Sequence, residues 1–246
     1  MKRIILFCTV LFIMAMNVMA QRQREGERSS EMGTFCIAKD GKVAAIVVDD
    51  QDWTGVVGAA NDLGDDVRKV MGTASPVVNI LDAGVSGKTA DRCILIGTIG
   101  KSRVIDKLVK QKKLDVSKVK GQWESFVIDV VDGNLVVAGS DKRGTIYGIY
   151  EISQRIGVSP WYWWADVPVK HQDEIYWKDG RFVQPSPKVK YRGIFINDEW
   201  PSFGEWATEH FGGYQLEDVR SHVRAAVAPE GQLSVASHVG NGLQRG

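Results

Sequence analysis

Cysteine and histidine are scarce in this chain of 246 residues, which contains three cysteines and four histidines. Neither a C-x-x-C nor an H-E-x-x-H spacing occurs, so the sequence predicts no metal and no cofactor. Cys8 lies in an apolar N-terminal run, and Cys93 alternates with Ile94 and Ile96 in the manner of a buried strand residue. We therefore expect Cys36 and Cys93 to be free thiols.

The chain also lacks a charge excess, because 31 Lys and Arg are balanced by 30 Asp and Glu. Residues 1–20 begin with Lys2 and Arg3, continue as an apolar run and end in small residues at Ala20, the layout of a cleavable secretory signal. A membrane anchor is the alternative, but the run is shorter than the roughly 20 apolar residues that a span needs. Removal of the signal leaves a net charge near minus one, which argues against nucleic acid as a partner. We expect a secreted or periplasmic protein without a membrane span after signal removal.

Beyond a leader at residues 21–41, residues 42–158 alternate between strand and helix patterns, which predicts a mixed α/β domain. Asp52 is predicted to cap a helix that ends at Gly72, and Asp132-Gly133 predicts a tight hairpin. We expect residues 42–156 to fold as a unit on their own. The predicted strands are 42–48, 76–81, 92–96, 124–131 and 134–138, and the predicted helices are 52–72, 102–112 and 144–156.

Two short segments carry chemistry that the sequence leaves open. Gly97-Thr98-Ile99-Gly100 follows a strand but lacks the spacing of a dinucleotide-binding loop, so we interpret it as a turn before a helix. The aromatic run Trp161 to Trp164 lies within 159–190, which we interpret as an interdomain segment. Its rings either fill the space between two domains or form a wall facing a sugar, with Trp163 and Trp164 as the candidate sugar contacts.

The segment 190–213 is the most informative part of the chain. An apolar strand there ends in Asn197, Asp198 and Glu199, and an aromatic stretch that includes Glu205 follows as a predicted loop. Carboxylates at the end of a strand are typical of the mouth of a barrel-type active site. Asp198 and Glu199 are neighbours and point to opposite faces of a strand, so the two alone do not form an acid and base pair.

Residues 141–169 and 190–213 together resemble glycoside hydrolase family 115, the xylan α-glucuronidases. The resemblance implies a hexosaminidase-like N-terminal α/β domain followed by the first strand of an incomplete (β/α)8 barrel, which would start within 191–214. It implies inverting hydrolysis that removes glucuronic acid or its 4-O-methyl ether from a xylan-type polysaccharide or oligosaccharide, without metal or cofactor.

The resemblance also assigns roles to individual residues. Asp198 is expected to be catalytic and to face the glucuronate, while the proton-transferring carboxyl group comes from later strands. Asn197 and Glu199 are expected to contribute to substrate binding. Lys142 and Arg143 are candidates for contact with the substrate carboxylate, although a cation at the start of a helix is more often simply solvated.

Residues 215–246 do not continue the family pattern. Codons for 215–245 can be chosen so that a frame one base later spells an amphipathic helix and an apolar strand like those of the family. We therefore expect a frameshift near Tyr214 and an inactive fragment. Two alternatives remain open: a noncatalytic carbohydrate-binding module, and another exo-glycosidase with the same first domain, such as a β-N-acetylglucosaminidase.

Overall fold

The computed structural model describes residues 34–79, 92–162, 166–192 and 202–215. This part of the chain forms a mixed α/β fold, which confirms the predicted class. The strand expected to begin a barrel falls mainly on residues 193–200, outside the described residues, so the barrel stays a prediction.

Among the described residues, three strands precede the first helix and two strands precede each of the next two helices. In chain order they are β1 (Phe35–Lys39), β2 (Lys42–Val43), β3 (Ala45–Val48), α1 (Thr54–Met71), β4 (Val77–Asn79), β5 (Cys93–Thr98), α2 (Arg103–Lys110), β6 (Phe126–Val131), β7 (Asn134–Gly139), α3 (Lys142–Arg155), β8 (Glu174–Trp177), β9 (Phe182–Gln184) and α4 (Phe203–Phe211).

The larger sheet has six strands in the order β4-β3-β5-β7-β6-β9. β4, β3, β5 and β7 run parallel, whereas β6 and β9 extend the sheet in antiparallel pairings. Every residue of β5 is buried, as expected for a parallel strand that is covered on both faces. Cys93 lies in this strand, and among the described residues neither it nor Cys36 forms a disulfide, as predicted.

Helices cover the two faces of this sheet and produce a three-layer arrangement. α1 and α3 pack on one face, where the predicted stripe of α1 is buried: Val56, Ala60, Leu63, Val67 and Val70. On the other face, α2 and the loop after it bury Ile105, Leu114 and Val119 against β5, β6 and β7. Burial of each such large side chain contributes about 1.5–3 kcal/mol.

Local signals explain most of the element ends. α1 ends at Gly72, whose φ of 81° allows its N–H to bond the Arg68 carbonyl. The β6–β7 hairpin turns at Asp132 and Gly133, both at positive φ, as predicted. The predicted N-cap at Asp52 is wrong, because Trp53 occupies the cap position and the Asp52 carboxylate accepts N–H bonds from Trp53 and Thr98 instead.

A second, three-stranded sheet pairs the start of the described chain with a much later segment. β1 lies between β2 and β8, with Phe35 opposite Trp177. The leader assigned to 21–41 is therefore wrong at 35–39, where Phe35 and Ile37 are buried. The segment 159–190 likewise supplies β8 and β9, so the α/β fold extends beyond residue 158 and is not complete in 42–156.

Residues 203–211 form helix α4, so the predicted loop is wrong here and Glu205 lies in a first helical turn. The aromatic residues recur at helical spacing, and Trp206 lies 5.8 Å from Phe203 and 5.5 Å from Phe211 between ring centroids. α4 ends at Gly212 with a φ of 76°.

Candidate functional site

The carboxyl ends of β3, β5 and β7 lie at one edge of the larger sheet and bring polar side chains together there. β3 leads through α1 to β4 on one side, and the chain then crosses to β5 on the other side of β3. Sheets of this type bind ligands where the strand order reverses, in this case between the ends of β3 and β5. Asp49 follows β3 and Thr98 ends β5 at this position.

An ion pair within the fold fills this position. Arg103 donates from Nε to Oδ2 of Asp49 at 2.9 Å and from Nη2 to Oδ1 at 2.6 Å, and its backbone N–H bonds Oδ2 at 2.8 Å. Burial alone would raise the pKa of Asp49, but the hydrogen bonds from Arg103 outweigh it and lower the pKa to about 2. Asp49 is therefore ionised at neutral pH and its oxygens are engaged.

The loop 97–100 is also engaged by protein groups. The Thr98 N–H bonds Oδ2 of Asp52 at 2.6 Å, and the Gly100 N–H bonds Oδ1 of Asp106 at 2.8 Å. A Cβ on Gly97 would lie 2.2 Å from the Cβ of Ser102, so this glycine is needed for close packing. The loop is a turn before a helix, as predicted, and two of its N–H groups are not available to a phosphate.

A cleft of about 450 Å³ opens beside this edge, between the end of β3 and α1. The polar groups in its lining include Asp50, Asp52 and Asn61, and each has a partner within the fold. Asp50 contacts Arg103 at 2.9 Å, Asp52 accepts two backbone N–H groups, and Asn61 donates to the Val57 carbonyl. These three polar groups of the cleft are therefore bonded within the fold itself.

A second polar cluster lies at the same edge of the sheet, where α3 begins. Glu124 contacts Arg143 through Oε1 at 3.1 Å and Arg192 through Oε2 at 2.5 Å. Both guanidinium groups also donate to the Tyr147 hydroxyl, at 3.2 and 3.3 Å. Burial raises the pKa of Tyr147, which keeps this phenol protonated at neutral pH. We call these four residues the Glu124 cluster.

Backbone contacts fix Glu124 at the junction of two elements. Asp141 accepts the Gly144 N–H at 2.7 Å, which caps α3, and also accepts the Glu124 N–H at 2.9 Å. A Cβ on Gly144 would lie 2.3 Å from the Ser125 carbonyl oxygen, so the helix start packs directly on the chain entering β6. Glu124 itself has a φ of 49°, an uncommon conformation for a residue with a side chain.

The predicted site residues separate into two groups. Arg143 belongs to the Glu124 cluster, and Lys142 is an exposed neighbour at the start of α3. Asn197, Asp198, Glu199, Trp163 and Trp164 lie outside the described residues, so their roles stay predictions.

The aromatic run can be followed only through its first two residues. Trp161 is 40% exposed, whereas Tyr162 packs against Lys69, whose Nζ lies 4.4 Å from the ring centroid. One residue of the run is thus partly open to solvent and the next packs on α1, a contrast that favours neither interpretation of the run.

Sequence reasoning missed Glu124, Tyr147 and Arg192 as members of a cluster. Arg192 lies in the segment that carries the family resemblance, but Glu124 is distant from it in sequence and matches no motif. Among the described residues no group of three or more His, Cys, Asp or Glu side chains is arranged to hold a metal ion. In the same part of the chain, no helix has both the length and the apolar character needed to cross a membrane.

The fold and these two polar clusters define an α/β domain. At the carboxyl ends of its parallel strands, ion pairs within the domain occupy the polar side chains, and Arg192 connects this end of the sheet to the chain that follows. The sequence profile described as Glycosyl hydrolase family 115 matches residues 184–227. A solved structure of BtGH115A, described as a family GH115 4-O-methyl-α-glucuronidase with specificity for decorated arabinogalactans, is 32% identical with a TM-score of 0.64. The chain belongs to glycoside hydrolase family 115.

The match to BtGH115A covers 79% of this chain but 25% of that structure, so the chain spans about a quarter of its relative. The profile match continues past Tyr214 to residue 227, and it therefore does not place a break at Tyr214. No curated protein matches the chain.

Other solved structures are less similar. CpGH84D is 11% identical with a TM-score of 0.47, and the match covers 72% of this chain and 25% of the CpGH84D chain. A β-hexosaminidase of Streptomyces plicatus is 14% identical with a TM-score of 0.44, covering 73% of this chain and 28% of its own. Similarity at this level supports no argument about function.

Proposed function

We propose that the chain is the N-terminal part of a secreted glycoside hydrolase that releases glucuronic acid or 4-O-methylglucuronic acid from a polysaccharide. The observation that carries the proposal is the 32% identity to BtGH115A over 79% of the chain. The family profile supports it independently, because its match includes Asp198 and the residues around it.

The geometry of the α/β fold is consistent with a supporting role for this domain. The reversal point of its sheet is filled by Asp49 and Arg103, and Asp50, Asp52 and Asn61 of the neighbouring cleft have partners within the fold. We therefore propose that the reaction takes place beyond Arg192, at Asn197, Asp198 and Glu199.

The proposed reaction is inverting hydrolysis. One carboxylic acid protonates the glycosidic oxygen and one carboxylate activates water, with the two groups about 6.5–9.5 Å apart. Asp198 would bind glucuronate hydroxyls or position the water. Lys142 and Arg143 are further candidates for contact with the carboxylate of the glucuronate. The acid and the base would come from later strands, so we propose that the 246-residue chain alone is inactive.

The substrate is proposed at two levels. The family resemblance and the description of BtGH115A agree on the uronic acid. They differ in the polysaccharide that carries it, which is xylan for the resemblance and decorated arabinogalactan for BtGH115A. We propose a glucuronoxylan as the substrate, and the described specificity of BtGH115A makes a decorated arabinogalactan the alternative to assay beside it.

The test measures uronic acid release from 4-O-methylglucuronoxylan and from a glucuronic acid-bearing arabinogalactan. The assayed protein carries the complete family 115 region with the frame restored after Tyr214. We expect Asp198→Ala to lower turnover by about 10²-fold or more. Glu205→Ala is the matched control, because Glu205 lies on the first turn of α4, and we expect less than about threefold loss. Equal losses in the two variants would contradict the role of Asp198, and release by the unmodified 246-residue chain would contradict its inactivity.

A further inference from the structure

The linker between β9 and the segment with Asp198 is attached to the α/β fold by specific contacts. Ser186 donates its hydroxyl to the Trp123 carbonyl at 2.6 Å. Arg192 donates to Glu124 at 2.5 Å and to the Tyr147 hydroxyl at 3.3 Å, and its guanidinium lies 5.7 Å from the centroid of the Trp123 ring. The Arg192 guanidinium also donates to the Val189 carbonyl, a hydrogen bond within the linker itself.

The pair of Glu124 and Arg192 is sheltered from water, unlike most ion pairs of the described residues. The side chains are 8% and 12% exposed, respectively. Exposed ion pairs contribute little because water and salt screen them, whereas removing one partner of a sheltered pair leaves an uncompensated charge. The contact therefore holds two distant parts of the chain together.

Glu124 is suited to be the fixed half of this contact. Its backbone is bound by the capping residue of α3 at a φ of 49°, a conformation that persists only where surrounding structure determines it. Its other oxygen contacts Arg143 on α3. The carboxylate is thus held by the starts of β6 and α3, and Arg192 is the partner that the linker contributes.

We infer that Glu124 and Arg192 are positioning residues: they form a clamp that fixes residues 186–192 on the α/β domain and sets the point from which the segment with Asp198 departs. Asn197 is five residues beyond Arg192, so their Cα atoms are at most about 18 Å apart. A departure point fixed this closely limits where the carboxylates can lie. The clamp itself is independent of the proposed function, whereas its effect on catalysis rests on it.

The first experiment measures limited trypsin cleavage of the full chain, with each cleavage site identified by mass spectrometry. In Arg192→Met and in Glu124→Gln we expect cleavage after Lys188 and Lys190 to be at least about tenfold faster, because a released linker enters the protease site more readily, while cleavage after Arg68 and Lys69 in α1 keeps its rate. Arg181→Met is the matched control, because Arg181 also pairs with two carboxylates, Asp115 and Asp129, on the same fold. It should leave cleavage after Lys188 and Lys190 unchanged.

A uniform rise in cleavage at all sites, or no rise after Lys188 and Lys190, would overturn the clamp. Should Arg192→Met fail to fold, Arg192→Lys keeps the charge but loses the planar fork that reaches Glu124, Tyr147 and the Trp123 ring together. A smaller rise in cleavage, confined to Lys188 and Lys190, is then expected, and an unchanged cleavage rate at these two residues would overturn the inference.

The second experiment measures kinetics in the protein with the complete family 115 region. Arg192→Met should lower kcat at least about tenfold and change KM less than about threefold, because misplaced reacting groups slow the chemical step. Arg181→Met should leave both within about twofold. An unchanged kcat in Arg192→Met would overturn the positioning role. Absence of activity in the unsubstituted protein would refute the proposed function while leaving the proteolysis result to stand.

Discussion

Replacing Asp49 by Asn is expected to destabilise the protein in a pH-dependent manner. Asp49 is fully buried and accepts three hydrogen bonds from Arg103, which lower its pKa from 3.8 to about 2. Because one pKa unit corresponds to about 1.4 kcal/mol, this difference stabilises the folded state by about 2 kcal/mol. Arg103 is half exposed and is rehydrated when the pair is lost, so we expect a total loss of about 2–3 kcal/mol at pH 7.

The sign of the pH dependence follows from the lowered pKa. The unfolded chain takes up a proton at Asp49 near pH 4, whereas the folded protein does so only near pH 2. The stabilisation is therefore complete above about pH 4 and is lost as the pH falls toward 2. Other carboxylates titrate in the same window, but their contributions cancel when Asp49→Asn is compared with the unsubstituted protein at each pH.

The assay is urea denaturation followed by tryptophan fluorescence at pH 7, 4 and 2.5. The difference in unfolding free energy between the unsubstituted protein and Asp49→Asn should narrow between pH 4 and 2.5. Asp50→Asn is the matched control, because Asp50 makes a single contact with the same guanidinium and is one third exposed. We expect it to cost less than about 1 kcal/mol. A difference that is constant over this range, or an equal cost for the two substitutions, would refute the reasoning.

Two further predictions concern the limits of the fold and its close contacts. A chain covering 34–192 should melt cooperatively by circular dichroism, whereas 42–158 should not, because it lacks β1, β8 and β9; a sharp transition in 42–158 would contradict this. Gly144→Ala should cost at least about 2 kcal/mol, since its Cβ would lie 2.3 Å from the Ser125 oxygen. Gly58→Ala, with open space on an exposed face of α1, should instead add about 0.5–1 kcal/mol, and urea denaturation that ranks the two alanine variants equally would exclude the steric explanation.

Local signals in the sequence predicted the parts of the fold that local physics determines. The buried stripe of α1 follows from helical periodicity, and the β6–β7 turn follows from Asp132-Gly133. α4 differs from the predicted loop, because Phe203, Trp206 and Phe211 recur at helical spacing within a stretch whose aromatic composition alone does not distinguish a helix from a loop. β1 was missed because five residues beside an Arg-rich segment carry too short a pattern.

The Glu124 cluster was beyond prediction from a single sequence for a different reason. Glu124 and Arg192 are 68 positions apart, and neither residue lies in a motif of fixed spacing. Their contact depends on the crossing of the linker over the start of β6, which is a property of the assembled fold. Arg143 belongs to the cluster and stands at a helix start, a position that local sequence does reveal, whereas the predicted contact of Lys142 and Arg143 with a substrate carboxylate stays a prediction.

The pairing of β1 with β8 also sets the timing of folding during synthesis. Phe35 meets Trp177, which is encoded 142 positions later. At about 5–20 residues per second, the ribosome needs roughly 7–30 s to supply that partner. Throughout this interval β1 has no β8 to pair with, so the apolar side chains of Phe35 and Ile37 cannot be buried as they are in the complete fold. The smaller sheet therefore closes only after Trp177 has been synthesised, long after β1 itself.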